Sequence, residues 1–205
     1  VVDVLVLHYT GMQSGRAALE RLCDPAAAVS AHYLVEEDGT VFRLVAEERR
    51  ARHAGVSHWR GREALNATSI GVEIVNPGHE WGYRPFPALQ MGAVAELCLG
   101  ILARHPIPPR NVVAHSDIAP DRKQDPGELF DWQGLAALGV GLWPVDGIAP
   151  EADALTLLGR IGYRTDLPLP VLVTAFQRHW RPERVDGVAD EATLARMAGL
   201  LDLLW

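Results

Sequence analysis

At 205 residues, with 48% apolar and 22% charged side chains, the chain has an ordinary globular composition and room for one large domain or a medium and a small one. Its formal net charge of -7 argues against a nucleic-acid backbone as main partner, and Arg49-Arg50-Ala51-Arg52 is too short to be a basic footprint. No stretch approaches the roughly 18 apolar residues that a membrane span needs. Cys23 and Cys98 make neither a disulfide framework nor a zinc cage, and both read as buried free thiols in helical patterns. The chain begins at Val1 within an apolar run, as expected of a trimmed or processed product whose leader or lipid anchor would be invisible.

Val1 to His8 is a nearly continuous run of Val and Leu, the pattern of a strand buried on both faces, and Gly11 breaks it. Ser14 is placed to cap a helix over Gly15–Cys23, with Ala18, Leu19 and Leu22 on one face. Strands over Ala31–Glu36 and Thr40–Val45 flank Glu37-Asp38-Gly39, a hairpin signal because Gly supplies positive φ. Arg52 to Ala67 is irregular and rich in His, Trp and Gly, the composition of a loop that lines a surface site. Thr68–Asn76 reads as a strand with Ile70, Val72 and Ile74 on one face and Gly71, Glu73 and Val75 on the other. Glu73 either sits at an edge in water or points into a cleft.

Pro87 opens a helix to Arg104, with Leu89, Ala93, Leu97 and Ile101 at core spacing, and Pro106, Pro108 and Pro109 end it. Asn111 to Ala114 is a short buried strand delivering His115. A polar loop closed by Asp125-Pro126-Gly127 follows, and its prolines exclude a helix through it. Asp131 caps a helix through Leu138. Gly139–Pro150 has no period and holds the linker. Three helical patterns then cover 151–161, 170–180 and 190–204.

His8 and His115 thus stand at the ends of separate strands, with Asp125 in the loop after the second. Two neutral imidazoles and one carboxylate leave a zinc ion one open position, the arrangement of a catalytic zinc. Lys123, the only lysine, lies two residues before Asp125 and in an extended segment faces the same way. Taken by itself, 111–127 reads as a solvated loop after a strand; the metal pair needs the support of the rest of the chain.

Seven segments in order carry a resemblance: Val-Leu-His-Tyr-Thr (6–10), Ser-Ala-His-Tyr-Leu-Val (30–35), Asp-Gly-Thr-Val (38–41), 52–61, Asn-Ala-Thr-Ser-Ile-Gly-Val-Glu-Ile (66–74), Ala-His-Ser-Asp-Ile-Ala-Pro (114–120) and Lys-Gln-Asp-Pro-Gly (123–127). Over about residues 1–140 the chain resembles the zinc-dependent N-acetylmuramoyl-L-alanine amidases of the amidase-2 type, related to peptidoglycan recognition proteins. Residues 175–180 (Ala-Phe-Gln-Arg-His-Trp) and 185–193 resemble a peptidoglycan-binding three-helix domain. The resemblance implies an α/β fold, a mixed central sheet flanked by helices, followed by a small three-helix domain. Its expected parts are a catalytic domain over 1–142, a linker over 143–150 and a peptidoglycan-binding-like domain over 151–205.

It further implies one zinc ion per chain on His8, His115 and Asp125, with Glu73 as catalytic carboxylate and Lys123 as its cationic partner. Some relatives carry a tyrosine where this chain has Ala31, which leaves the load on Glu73. The implied reaction is hydrolysis of the amide between the lactyl group of N-acetylmuramic acid, or its 1,6-anhydro form, and L-alanine. Muropeptide fragments are the expected partners; a catalytically inactive muropeptide-binding protein is the alternative. His53 and Trp59 are expected to touch sugar or peptide. His32 and Asn76 are further candidates, with a structural histidine and a turn cap as the alternatives. His58, His79, His105 and His179 read as surface or packing residues. A monomer is expected, acting in the cell envelope, with cytoplasmic recycling as the alternative.

Overall fold

The computed structural model describes residues 1–148 and 152–204. Its elements are β1 (Val4–Tyr9), α1 (Gly15–Cys23), β2 (Tyr33–Val35), β3 (Val41–Arg43), β4 (His58–Trp59), β5 (Arg62–Glu63), β6 (Ser69–Ile74), α2 (Gly78–Trp81), α3 (Ala88–Arg104), β7 (Val112–Ala114), α4 (His115–Ile118), α5 (Trp132–Ala137), α6 (Ala154–Ile161), α7 (Leu169–Trp180) and α8 (Glu191–Asp202). Five strands form a mixed sheet in the order β3-β2-β6-β1-β7. β2, β6, β1 and β7 run parallel, and only β3 is antiparallel, joined to β2 through the turn at Gly39.

Alternation along β1 and β6 divides the sheet into two faces. Leu5, Leu7, Ile70, Val72 and Ile74 pack under α3 and α5. On the other face, Val4, Val6 and Val113 share one buried cluster with Trp59, Ile118 and the apolar sides of α6, α7 and α8. α1, capped by Ser14, closes over Leu34 and Val75 through Ala18, Leu19 and Leu22. Each fully buried Leu, Val or Phe contributes about 1.5–3 kcal/mol. The run 4–7 is therefore buried on both faces, and the C-terminal helices supply one of the two covers.

Several expectations are corrected. α3 presents Gln90, Val94, Cys98 and Ile101 to the core, whereas Leu89 is 73% exposed. Gln90 takes a core position because its amide donates to the carbonyls of Val35 and Val75 where β2 and β6 end. Cys98 is buried, but Cys23, in the last turn of α1, is exposed. Residues 116–118, expected as loop, form the helical turn α4, which stops before Pro120, and 115–120 are buried. Burial is tolerated because the Asp117 carboxylate accepts from Ala114 N–H (2.8 Å), the Tyr163 hydroxyl (2.5 Å) and His179 Nδ1–H (2.6 Å).

Two residues of the C-terminal motif, Phe176 and Gln177, hold the helices together. Phe176 is core, and Gln177 accepts from the N–H groups of Asp186 and Gly187 while donating to the Val188 carbonyl, which stitches the loop before α8 to α7. The aperiodic stretch 142–148 lies against α8: Gly147 N–H donates to the Ala195 carbonyl, Arg196 pairs with Asp146, and its guanidinium sits over Trp143. The expected linker residues 149 and 150, and Glu151, lie outside the described residues.

Candidate metal centre and cleft

The parallel strands β6, β1 and β7 end at the same edge, where ligands of open α/β sheets bind. The register sets His8 opposite Glu73, and Leu7 opposite Ala114, so that His115 follows beside His8. The return loop brings in the third group. Arg122 and Lys123 N–H both donate to the Ala119 carbonyl, closing a turn, and Ser116 N–H donates to the Asp125 carbonyl, drawing residue 125 back to the strand end.

His8 Nδ1, His115 Nδ1 and Asp125 Oδ2 lie 2.9–3.0 Å from one another, all buried. They form the one such group found among the described residues. His115 Nε2 lies 3.3 Å from the Ala54 carbonyl, which only accepts, so the His115 proton sits on Nε2 and its Nδ1 carries a lone pair. Burial pushes His8 down to about 4, helped by His115 and opposed by Asp125, so the ring is neutral at neutral pH. Burial works against the Asp125 carboxylate, but His115 and then His8 outweigh it and hold that group below the usual carboxylate range. Three acceptor atoms thus share at most one proton, and their spacing lets them share one ion at about 2 Å from each. The donor set, two neutral imidazoles and a carboxylate, fits zinc.

The cluster opens into a cavity of about 730 Å³ whose wall includes Glu73, His115, Lys123 and Asp125. Glu73 is half-buried, and its Oε2 has no hydrogen-bond partner. Burial, with a smaller push from Asp125 and a smaller opposing pull from Lys123, raises its carboxyl well above the ordinary range. Arg21, Arg52 and Arg122 add positive charge to the wall. A second wall is built from Tyr9, His79 and the half-exposed Trp81. There the Tyr9 hydroxyl lies 3.0 Å from His79 Nδ1, while His79 Nε2 faces Glu128 at 3.1 Å.

Of the four substrate-contact candidates, only His53 reaches the cavity. Trp59 is 1% exposed, packs edge-on against Tyr163 and donates to the Arg110 carbonyl, so it is core and not cavity wall. Asn76 is buried and binds Arg84 O and Gly78 N–H, the turn-cap alternative. His32 is buried, with one ring nitrogen on the Arg49 carbonyl and the other accepting from Gly71 N–H. His53 reaches the cavity wall, but its ring is committed to His8 and Ser69. Of the four set aside, His105 binds Glu47, His179 is stacked between Trp132 and Trp180, and His58 is half-buried. His79 is the one that lines the cavity, and no local pattern marks it, because its neighbours come from residues 9 and 128.

A family profile described as N-acetylmuramoyl-L-alanine amidase, of the amidase-2 type, matches residues 1–128. The chain belongs to the N-acetylmuramoyl-L-alanine amidase family. Among curated amidases, the N-acetylmuramoyl-L-alanine amidase AmiD of Escherichia coli is 40% identical over 231 residues, covering 98% of this chain and 83% of that protein. The 1,6-anhydro-N-acetylmuramyl-L-alanine amidase AmpD of Salmonella typhimurium is 41% identical over 110 residues, 54% of this chain and 57% of that protein. The solved complex of the E. coli amidase AmiD with anhydro-N-acetylmuramic acid-L-Ala-D-gamma-Glu-L-Lys matches with a TM-score of 0.89 at 38% identity, over 99% of this chain and 90% of that one. AmpDh3 of Pseudomonas aeruginosa, solved in complex with anhydromuramic pentapeptide, matches with a TM-score of 0.90 at 37% identity, over 98% of this chain and 92% of that one.

Proposed function

We propose that this amidase is zinc-dependent and hydrolyses the amide between the lactyl group of N-acetylmuramic acid, or its 1,6-anhydro form, and the L-alanine of the stem peptide. The observation that carries this reading is the buried His8–His115–Asp125 cluster opening into a cavity that Glu73 and Lys123 share. The substrate bound in the AmiD complex and the anhydromuramic pentapeptide bound in AmpDh3 support the choice of muropeptide.

Held by His8, His115 and Asp125, zinc supplies Lewis acidity and brings the pKa of water to about 7. The chain's own residues do the rest. Glu73, with an unpartnered oxygen and a raised proton affinity, takes a proton from the attacking water and hands it to the alanine nitrogen, which leaves as an amine. Lys123 faces the tetrahedral oxyanion with its ammonium; one such donor is typically worth about 3 kcal/mol. Ala31 is buried and has no proton to move, so Glu73 carries the transfer alone. Arg21, Arg52 and Arg122 suit the carboxylates of a stem peptide.

Residues 1–142 carry the chemistry in this reading, and the three C-terminal helices are a peptidoglycan-binding-like unit held against them. No helix among the described residues is long and apolar enough to cross a membrane. The added helical unit supports action on wall polymer in the envelope.

The test is metal analysis together with a mass-spectrometric digest of intact and 1,6-anhydro muropeptides. Expected are about one zinc ion per chain and released stem peptide. A zinc-loaded protein that leaves both substrates whole would replace the enzyme with a muropeptide-binding protein. Tight metal retention by His115→Ala would move the ligand set elsewhere.

A further inference from the structure

A neutral imidazole carries one proton, so a histidine ligand serves an ion only when that proton sits on the nitrogen facing away from it. For His115 the Ala54 carbonyl settles the matter, because it can only accept from Nε2–H. For His8 the partner is a second imidazole: His8 Nε2 lies 3.0 Å from His53 Nδ1, and that pair alone permits either direction.

The direction is fixed one step further out. His53 Nε2 lies 3.1 Å from the Ser69 hydroxyl, and Ser69 Oγ lies 2.7 Å from the Leu65 carbonyl. A carbonyl accepts only, so the hydroxyl proton goes to Leu65 and Ser69 is left to accept from His53 Nε2–H. His53 Nδ1 then carries a lone pair, His8 Nε2 donates to it, and His8 Nδ1 faces Asp125 and His115 without a proton. Both ligands therefore trace back to the dipeptide His53–Ala54, one through a side chain and one through a carbonyl. That dipeptide is itself clamped: the N–H groups of His53 (3.0 Å) and Ala54 (2.8 Å) both donate to Asn66 Oδ1, which is buried. Space for the relay comes from Gly71, where a Cβ would stand 2.3 Å from the His53 ring.

We propose that Asn66 and Ser69 are positioning residues of the metal centre: acting through His53–Ala54, they fix which ring nitrogen of His8 and of His115 is free for the ion. Neither touches a ligand. The inference rests on the reading that His8, His115 and Asp125 hold zinc, and it adds where the selectivity for the Nδ1-binding tautomers comes from. With the relay reversed, Nδ1–H of His8 would point at Asp125 and block the site. Partners of this kind outside the ligand set typically change metal affinity 10–100-fold.

The test uses the full chain and zinc alone. Affinity is measured by competition with a chromophoric chelator for wild type, His115→Ala, Ser69→Ala, Ser69→Thr and Asn66→Ala. Expected is a 10–100-fold weaker zinc affinity for Ser69→Ala and Asn66→Ala, with Ser69→Thr, which keeps the hydroxyl, close to wild type. Tight wild-type binding that His115→Ala abolishes, combined with unchanged affinity in Ser69→Ala and Asn66→Ala, overturns the inference and leaves the ligand set standing. Wild type that binds no zinc, or His115→Ala that binds as well as wild type, sinks the underlying reading instead. Folding of the variants does not limit the test, because heteronuclear NMR of the ring nitrogens in the zinc-stripped wild type reads the tautomers directly. Expected is the proton on Nε2 of His8, His53 and His115; a proton on Nδ1 of His53 overturns the relay.

Discussion

Replacing Asp117 by alanine withdraws one buried carboxylate from three buried donors at once: Ala114 N–H, the Tyr163 hydroxyl and His179 Nδ1–H. A buried donor left without a partner costs about 1–3 kcal/mol. Three of them, partly relieved by local relaxation, give an expected loss of about 3–6 kcal/mol, a large share of the 5–15 kcal/mol that holds a typical domain together. Asp117→Asn keeps one acceptor oxygen and is expected to lose about 1–2 kcal/mol. The assay is urea unfolding followed by tryptophan fluorescence, since Trp132 and Trp180 both stack on His179 and report the joint directly. Because the sheet and α6–α8 share one core cluster, wild type should unfold in a single transition. Asp117→Ala and Tyr163→Phe should be strongly sub-additive, since they break the same bond. A loss below about 1 kcal/mol for Asp117→Ala, or two separate wild-type transitions, would refute the argument.

Other consequences are equally direct. Glu73→Ala should keep zinc and lose about 10²–10⁴ in kcat, read by muropeptide turnover beside metal analysis; full activity would mean that another group moves the proton. Lys123→Ala should lower kcat about 10²-fold while leaving zinc content unchanged. Glu47 is buried among Arg104, Tyr33 and His105, and the Arg104 guanidinium above all holds its carboxyl down at about 2. A depressed carboxylate stabilises the fold above its unfolded pKa of about 4.5 and loses that contribution as pH falls towards 2. Arg104 is half-exposed, which limits the effect to about 1–2 kcal/mol. Urea midpoints of Glu47→Gln should therefore vary less than those of wild type across that window. Gly199→Ala places a Cβ 1.7 Å from the Val145 carbonyl oxygen, a backbone atom, and is expected to cost about 1–3 kcal/mol or to release 142–148 to proteolysis.

The site was legible where chemistry and strand period coincide. His8 ends an apolar run, Glu73 interrupts one, and Asp125 with Lys123 follows a third, so local pattern alone brings them to mind, and the family resemblance orders them. What stays hidden depends on contacts far along the chain. Trp59 sits in a loop with the composition of a binding surface, yet α6 and α7, a hundred residues on, bury it. Asp117 looks solvated until Tyr163, just past the end of α6, and His179 of α7 arrive beside it. Gln90 displaces Leu89 from the core because two strand-end carbonyls need a donor. His79 borders the cavity through partners at 9 and 128, and Asn66 and Ser69 read as ordinary loop and strand polar residues.

Strand β6 has a consequence for how this centre tolerates change. Its even positions, Ile70, Val72 and Ile74, fill the core under α3, while Ser69 bonds His53, Gly71 leaves room for the His53 ring and Glu73 lines the cavity. A slip of one residue would exchange the two sets, burying a carboxylate beneath α3 and pressing isoleucine into the cleft. Insertions or deletions between 68 and 75 are thus forbidden twice over, and the packing that stabilises the sheet also guards the alignment of the groups proposed to react.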